Sequence, residues 1–224
     1  MSEPIVIILQ TYRRTDVALR TIAAARANLR YGGELRWYVA DDGSPPEHVT
    51  AVLAAVGDGL WGWHSDRLLY GGNCNRAWDT ANTVGALTFW LEDDWELRQP
   101  LDLWPYAALL METTEIGMVR LGNLNLDVRA RTWAHGGSVY WKLDREPHLE
   151  GTPVFAGHPS LRHRRYLEAY GYYPVIPNPG ETELAYAWQF RVGALDAPGI
   201  VWPADYPPTG FFGHIGEIKT ETML

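Results

Sequence analysis

Apolar and polar positions alternate in blocks along the first hundred residues. Residues 4–9 are a near-continuous β-branched and aliphatic run, the pattern of a strand buried on both faces of a parallel sheet. It ends in Gln10-Thr11-Tyr12-Arg13-Arg14, after which Thr15 or Asp16 can cap an alanine-rich helix reaching about Leu29. Tyr31-Gly32-Gly33 stops that helix. Residues 35–40 predict a second strand, closed by Asp41-Asp42-Gly43-Ser44. Ser44-Pro45-Pro46-Glu47 reads as a helix start, with Ser44 as cap, proline in the first turn and Glu47 completing a capping box. That helix runs to about Val56. Residues 60–64 predict a short third strand, 71–83 a helix, and 87–91 a further buried strand.

Strand and helix taking turns in this way imply a parallel, doubly wound sheet with right-handed crossovers. In such sheets ligands bind beyond the carboxyl ends of the strands. Polar clusters at Thr11, Asp41 and Glu92 each close a predicted strand, so three clusters at one sheet edge describe a site.

Glu92-Asp93-Asp94 is the most telling of them. Adjacent like charges repel, and a divalent cation turns that repulsion into attraction because hard cations take carboxylate oxygens. At a strand end Glu92 and Asp94 point the same way and can converge on one ion, although a solvated acidic turn has the same sequence. A carboxylate such as Asp41 suits a ribose hydroxyl or an imide N–H. Thr11 and Tyr12 can wall a base, and Arg14 can reach the base or a phosphate. These groups describe a nucleoside-diphosphate pocket. A P-loop and a dinucleotide fingerprint are both absent; the Gly71-Gly72 pair follows the wrong strand.

The chain has 224 residues, 46% hydrophobic and 21% charged, which suits one large domain with a sizeable core. The longest aliphatic run is far short of the ~20 residues of a membrane span. It begins almost at the amino terminus, with no basic segment or small-residue cleavage site before it, so no signal peptide is expected. A single cysteine, Cys74, excludes an internal disulfide and predicts a reducing, cytoplasmic setting. A net charge of −8 argues against a general polyanion binder. Some of the 11 tryptophans, flat and amphipathic, are expected to line a site for sugars or bases.

Four segments resemble glycosyltransferases of the GT-A fold, most nearly the large inverting family 2. Ile7-Ile8-Leu9-Gln10-Thr11-Tyr12-Arg13-Arg14 is similar to that family's opening strand and Thr-Tyr-Asn-Arg turn. Val39-Ala40-Asp41-Asp42-Gly43-Ser44 is similar to its Val-Asp-Asp-Gly-Ser segment. Gly72-Asn73-Cys74-Asn75-Arg76-Ala77 resembles its glycine-rich segment leading to an asparagine. Trp90-Leu91-Glu92-Asp93-Asp94 sits where the family has Asp-x-Asp, with Glu92 in place of the first aspartate. The likeness spans residues 5–95 and thins beyond. It implies nucleotide contacts from Thr11, Asp41 and Asn75 and a cation held at Asp94; with Tyr12, Arg14 and Asp93 these make up the expected nucleotide site, and Glu92 joins Asp94 at the expected cation.

The second half is less regular. Residues 101–112 predict a helix and 117–121 a strand. The stretch 123–159 is long for a connection and is expected to carry function, with β-prone pieces at 139–141 and 152–155. Residues 160–170 read as a helix whose Arg162, His163, Arg164 and Arg165 form a solvated face, or else bind an acidic acceptor. In Asn178-Pro179-Gly180-Glu181-Thr182-Glu183-Leu184, Asn178 can cap a helix with Pro179 first and Glu181 closing a capping box. The resemblance gives Glu181 a competing role: it aligns with the family's general base, which takes the proton of an otherwise weak hydroxyl nucleophile. Glu183 is its rival. A histidine returning to the metal is a further feature of several GT-A enzymes, and His214, between glycines and aromatics, fits that place. An imidazole beside carboxylates would favour Mn2+ over Mg2+. His158 and His135 are weaker candidates.

The expectation is therefore one α/β GT-A-like domain, residues 1–98 binding the nucleotide sugar and 99–224 forming the acceptor side. Its activity would be metal-dependent (Mn2+ or Mg2+), inverting transfer from a nucleoside-diphosphate sugar, a UDP-sugar foremost, to a hydroxyl on a glycan, protein or other acceptor. Nucleic acid is disfavoured as acceptor by the acidic balance. The alternatives are an idle nucleotide-sugar or glycan-binding module on the same fold, and a sugar nucleotidyltransferase, whose glycine-rich basic loop is missing.

Overall fold

A computed structural model describes residues 2–122, 130–143, 155–192, 197–207 and 210–216, without the side chains of 191 and 192. The first apolar run forms β1 (Ile5–Thr11), buried at every position. A turn leads to α1 (Thr15–Asn28), whose Ala18, Thr21, Ile22 and Ala25 are buried. Those positions fall on one helical stripe, which packs on the sheet. A two-residue strand, β2 (Leu29–Arg30), precedes β3 (Leu35–Asp41). Then come α2 (Pro46–Val56), a 3-10 turn at Gly57–Gly59, β4 (Leu60–Ser65), α3 (Leu69–Asn82) and β5 (Leu87–Glu92). The predicted elements are all present within a few residues.

The later elements are β6 (Trp95–Leu97), β7 (Leu101–Asp102), α4 (Trp104–Glu112), β8 (Ile116–Arg120), β9 (Ala130–His135) and β10 (Ser138–Leu143). They are followed by β11 (Ser160–His163), α5 (Arg165–Tyr170), α6 (Pro179–Val192), β12 (Gly199–Pro203) and β13 (Phe212–His214). The nine-stranded sheet runs β4-β3-β1-β5-β11-β8-β12-β10-β9. Its first four strands pair in parallel, and β11 and β10 run against the other seven. The result is a mixed α/β domain with a large, mostly parallel central sheet. One core lies between the sheet and α1, α2 and α4; the other, rich in aromatics, lies between the sheet and α3, α5 and α6.

Three local expectations are corrected. Residues 160–163 form a strand, not the start of a helix, and Arg162 is wholly buried rather than solvated. Helix α2 follows Pro45 without a side-chain cap, because the Ser44 hydroxyl turns back to Asp41. Helix α1 likewise begins after Arg14 with no side-chain cap. The predicted strand at 139–141 lies within β10. Most of the predicted piece at 152–155, and residues 123–129, lie outside the described residues.

Candidate functional site

Thr11 ends β1 between the ends of β3 and β5, in register with Asp41. Its hydroxyl donates to Asp93 Oδ2 at 2.8 Å and meets His48 Nε2 at 2.9 Å. With that proton given to Asp93, Thr11 accepts from the imidazole, so Nε2 carries the hydrogen. Nδ1 then accepts from the Thr15 hydroxyl at 2.9 Å. Burial lowers the pKa of His48 and keeps it neutral, as this chain of bonds requires. Asp93 also accepts from the Tyr12 amide at 3.2 Å. Arg14 forks across both aspartates, through Nη2 to Asp93 and through Nη1 to Asp94 Oδ2 at 2.8 Å. Between Tyr12 and Arg14, Arg13 takes φ +62, a left-handed conformation that a non-glycine residue adopts only where its surroundings hold it. The Ser44 hydroxyl accepting the Arg13 amide at 2.8 Å is one such hold.

The acids at the end of β5 line a cavity of about 810 Å³. Thr11, Tyr12, Arg14, Asp42 and Arg67 border it from the strand ends, Tyr70 and Asn73 from α3. Pro179, Gly180 and Glu183 border it from the start of α6, with Trp95, His158 and His214 on the remaining wall. Strand β13 pairs with β6 so that His214 lies beside Trp95, and His214 Nε2 comes to 3.2 Å from Asp94 Oδ2. The His158 ring packs on the same indole at 4.6 Å between centroids. Glu92 accepts from the Tyr70 hydroxyl at 3.1 Å. Burial first, then the charges of Asp94 and Glu183, hold its carboxyl well above the ordinary range. Burial likewise lifts Asp93 to about 6, against the pull of Arg14.

The residues expected from the sequence divide clearly. Thr11, Tyr12, Arg14, Glu92, Asp93, Asp94 and His214 all border the cavity. Asp41 and Asn75 do not. Asp41 is buried, and its carboxylate holds a turn by accepting from the Ser44 amide at 2.8 Å and the Ser65 hydroxyl at 2.6 Å; Asp42 takes its place at the cavity wall. Asn75 brackets the backbone of Tyr173, donating to its carbonyl at 2.9 Å and accepting from its amide at 2.8 Å. Glu181 is exposed in the first turn of α6, where its amide is capped by Asn178 at 3.1 Å. Glu183, two residues on, borders the cavity and accepts from the Gly157 amide. His135 lies apart, paired with Glu112.

For the expected cation, the three-ligand set of Glu92, Asp94 and His214 does not assemble: among the described residues no three His, Cys, Asp or Glu side chains form a metal cage. Tyr70 holds Glu92, while Asp94 and His214 remain as a pair. One carboxylate and one imidazole fit a cation whose other ligands arrive as phosphate oxygens and water.

Arg67, Tyr70, His48 and Trp95 carry no motif that marks them in the sequence. Arg67 pairs with Asp42 at 2.7 Å and lies over the Tyr12 ring at 4.4 Å. The available signal for His48 is its place on the buried stripe of α2, with Val49, Val52 and Val56.

No family model matches the chain, and no curated protein matches it by sequence. Solved structures do. A mannosyltransferase from Pyrobaculum calidifontis, in complex with GDP-Man and Mn2+, superimposes with a TM-score of 0.55 at 15% identity, over 94% of this chain and 59% of that one. S. aureus TarS does so at 0.61 and 14% identity, over 92% of this chain and 35% of that one. Its 1-349 fragment gives 0.58 and 16%, over 92% and 58%. The chain thus has a glycosyltransferase fold and spans between about a third and three fifths of the length of these proteins. No helix among the described residues is long and apolar enough to cross a membrane.

Proposed function

We propose that the chain transfers a sugar from a nucleoside-diphosphate sugar to an acceptor hydroxyl, with inversion at the anomeric carbon. The observation that carries this reading is one cavity bordered on one side by the acids at the end of β5 and on the other by the Glu183 carboxylate. Donor and acceptor can meet only where both walls are within reach. The nucleoside end lies by Tyr12, Arg67 and Asp42, and the diphosphate by Arg14 and Asp94. Asp94 and His214 would hold a divalent cation, which when bound neutralises the diphosphate leaving group. The mannosyltransferase noted above holds Mn2+ with its sugar nucleotide, so Mn2+ and a UDP- or GDP-sugar are the first pair to test.

Glu183, rather than Glu181, is the general base in this reading. Its carboxylate takes the acceptor's hydroxyl proton as the oxygen bonds to the anomeric carbon and the carbon–oxygen bond to the diphosphate breaks. The carboxyl of Glu92 is held well above the usual carboxylate range by burial and by the charges of Asp94 and Glu183, which lessens the charge it sets against Glu183. The second reading, an idle nucleotide-sugar-binding module, draws on the Arg14 fork, which already occupies Asp94. A thermal-shift screen of nucleoside diphosphates with and without Mn2+, followed by turnover on sugar nucleotides, separates them. Transfer confirms the enzyme; binding without turnover leaves the module; no binding by any nucleoside diphosphate overturns both.

A further inference from the structure

Arg162 is wholly buried, and among the described residues no carboxylate pairs with it. The β11–β5 register sets it opposite Thr88, so its side chain leaves the sheet on the face that also carries Trp90. That face looks into the aromatic core beneath α3, α5 and α6. Nε donates to the Ser160 hydroxyl and Nη1 to the Tyr173 hydroxyl, each at 2.9 Å. The guanidinium carbon lies 4.5 Å from the centroid of Trp90, 5.4 Å from Phe155 and 5.6 Å from Trp78. Ring faces attract a cation, but a charge withdrawn from water without an opposite charge remains costly.

The same core holds an unusual group of buried polar atoms without hydrogen-bond partners. They are Arg162 Nη2, Trp78 Nε1, Trp90 Nε1, Thr88 Oγ1, and the hydroxyls of Tyr166 and Tyr186. Buried polar groups in folded proteins are nearly always satisfied, so a cluster of orphaned donors marks a place suited to a bound acceptor. Three of the six are N–H groups that only donate, and the three hydroxyls can rotate to donate. The set therefore asks for an acceptor. Among the described residues no neighbouring side chain supplies the missing negative charge: burial pushes the Cys74 thiol, Tyr166 and Tyr173 upward, so all three stay protonated.

We propose that this cage binds one small monovalent anion of the halide class against Nη2 of Arg162. The surroundings favour a monatomic ion, since Tyr173 and Tyr186 stack at 3.9 Å between centroids and Phe155 meets Tyr186 at 4.9 Å. The anion supplies the missing charge and takes hydrogen bonds from the orphaned donors. It is distant in kind from the carboxylate-lined cavity: a site for a structural ion within the core.

The test is thermal melting of the full chain in sodium chloride or bromide against sodium gluconate at equal ionic strength, with diffraction at the bromine edge from bromide-soaked crystals. A ligand that binds only the folded state raises the melting point in a saturable way. The expected result is a rise of a few degrees in halide over gluconate, and an anomalous bromide peak beside Arg162 Nη2. Arg162→Met should melt alike in all three salts. Should that variant fail to fold, Tyr186→Phe and Thr88→Val, each removing one hydroxyl, should need more halide to reach the same shift. Equal melting of the wild type in halide and gluconate overturns the proposal, as does a crystal in which ordered water alone fills the cage.

Discussion

The acids ending β3 and those ending β5 lie either side of β1, and the fold treats them differently. Asp41 and Asp42 are surrounded by donors: backbone amides of Gly43, Ser44 and Leu68, hydroxyls of Ser44 and Ser65, and the Arg67 guanidinium. Their charge is used to shape the chain, pulling the β3–α2 turn and the start of α3 together. At the end of β5, Asp93 is similarly held, but Glu92 receives one hydroxyl, while Asp94 shares Arg14 with Asp93 and faces His214. The second cluster keeps negative charge beside an open cavity. Similar acidic residues at neighbouring strand ends thus mainly hold a turn in one place, where Asp42 alone reaches the cavity, and face the open cavity in the other. The number of local donors distinguishes the two roles.

The strongest test of this contrast lies on the facing wall. Glu183→Gln should bind nucleoside diphosphate normally and transfer sugar roughly 10²–10⁴-fold more slowly, the usual contribution of a general base. Glu181→Gln, altering an exposed first-turn residue, should transfer near the wild-type rate. The reverse pattern would return the base to Glu181. Next, Asp94→Asn removes charge at the cavity-facing cluster. Mn2+-dependent nucleotide binding, followed by titration calorimetry, should fall at least roughly tenfold, since even outer partners of metal ligands have effects of that size. Donor binding indifferent to a chelator would remove the cation from the scheme.

Asp41→Ala probes the turn. It strands the hydroxyls of Ser44 and Ser65 and two turn amides, and should lower unfolding free energy by about 2–4 kcal/mol in denaturant titrations. A variant as stable as wild type but unable to bind nucleotide would instead make Asp41 a ligand contact. The smallest effect concerns His163, outside both clusters. Its Nδ1 accepts the Arg165 amide at 3.1 Å, and burial, then Arg165 and Arg164, depress its pKa to about 4. Unfolded, the imidazole takes a proton near its ordinary value of about 6.5. Between those values the unfolded chain binds more protons, so stability is present above about 6.5 and is lost as pH falls towards 4. His163→Gln should flatten that part of the stability profile relative to wild type.

The first ninety-five residues were legible because their signals are local. A run such as residues 5–9 can be little other than a buried strand, and the acids behind it mark a strand end wherever they occur. Arg162 was illegible for the opposite reason. An arginine beside histidine and two more arginines looks solvated, and only its partners Thr88 and Met118, remote in sequence, show that it enters a sheet. Which of Glu181 and Glu183 borders the cavity depends on helix phase. Capping places Glu181 correctly in the first turn of α6, but which face of that turn meets the cavity depends on Gly157 and Tyr70, outside the segment. Asp41 and Asp42 differ in the same way: strand alternation points them to opposite sides, and nothing nearby in sequence says which side is hollow.

The insertion of β11 between β5 and β8 also has a consequence for synthesis of the chain. The parallel half-sheet can assemble once Glu92 has emerged, but the strand that covers its β5 edge lies roughly 70 residues later. At ~5–20 residues per second that edge waits roughly 4–14 s for its partner. During that interval the nascent protein displays the unpaired backbone of Leu87–Glu92, an apolar edge of the kind that templates association between chains. A ribosome stalled between these two strands would therefore hold out an adhesive intermediate, and chaperone demand should peak there rather than at the end of translation.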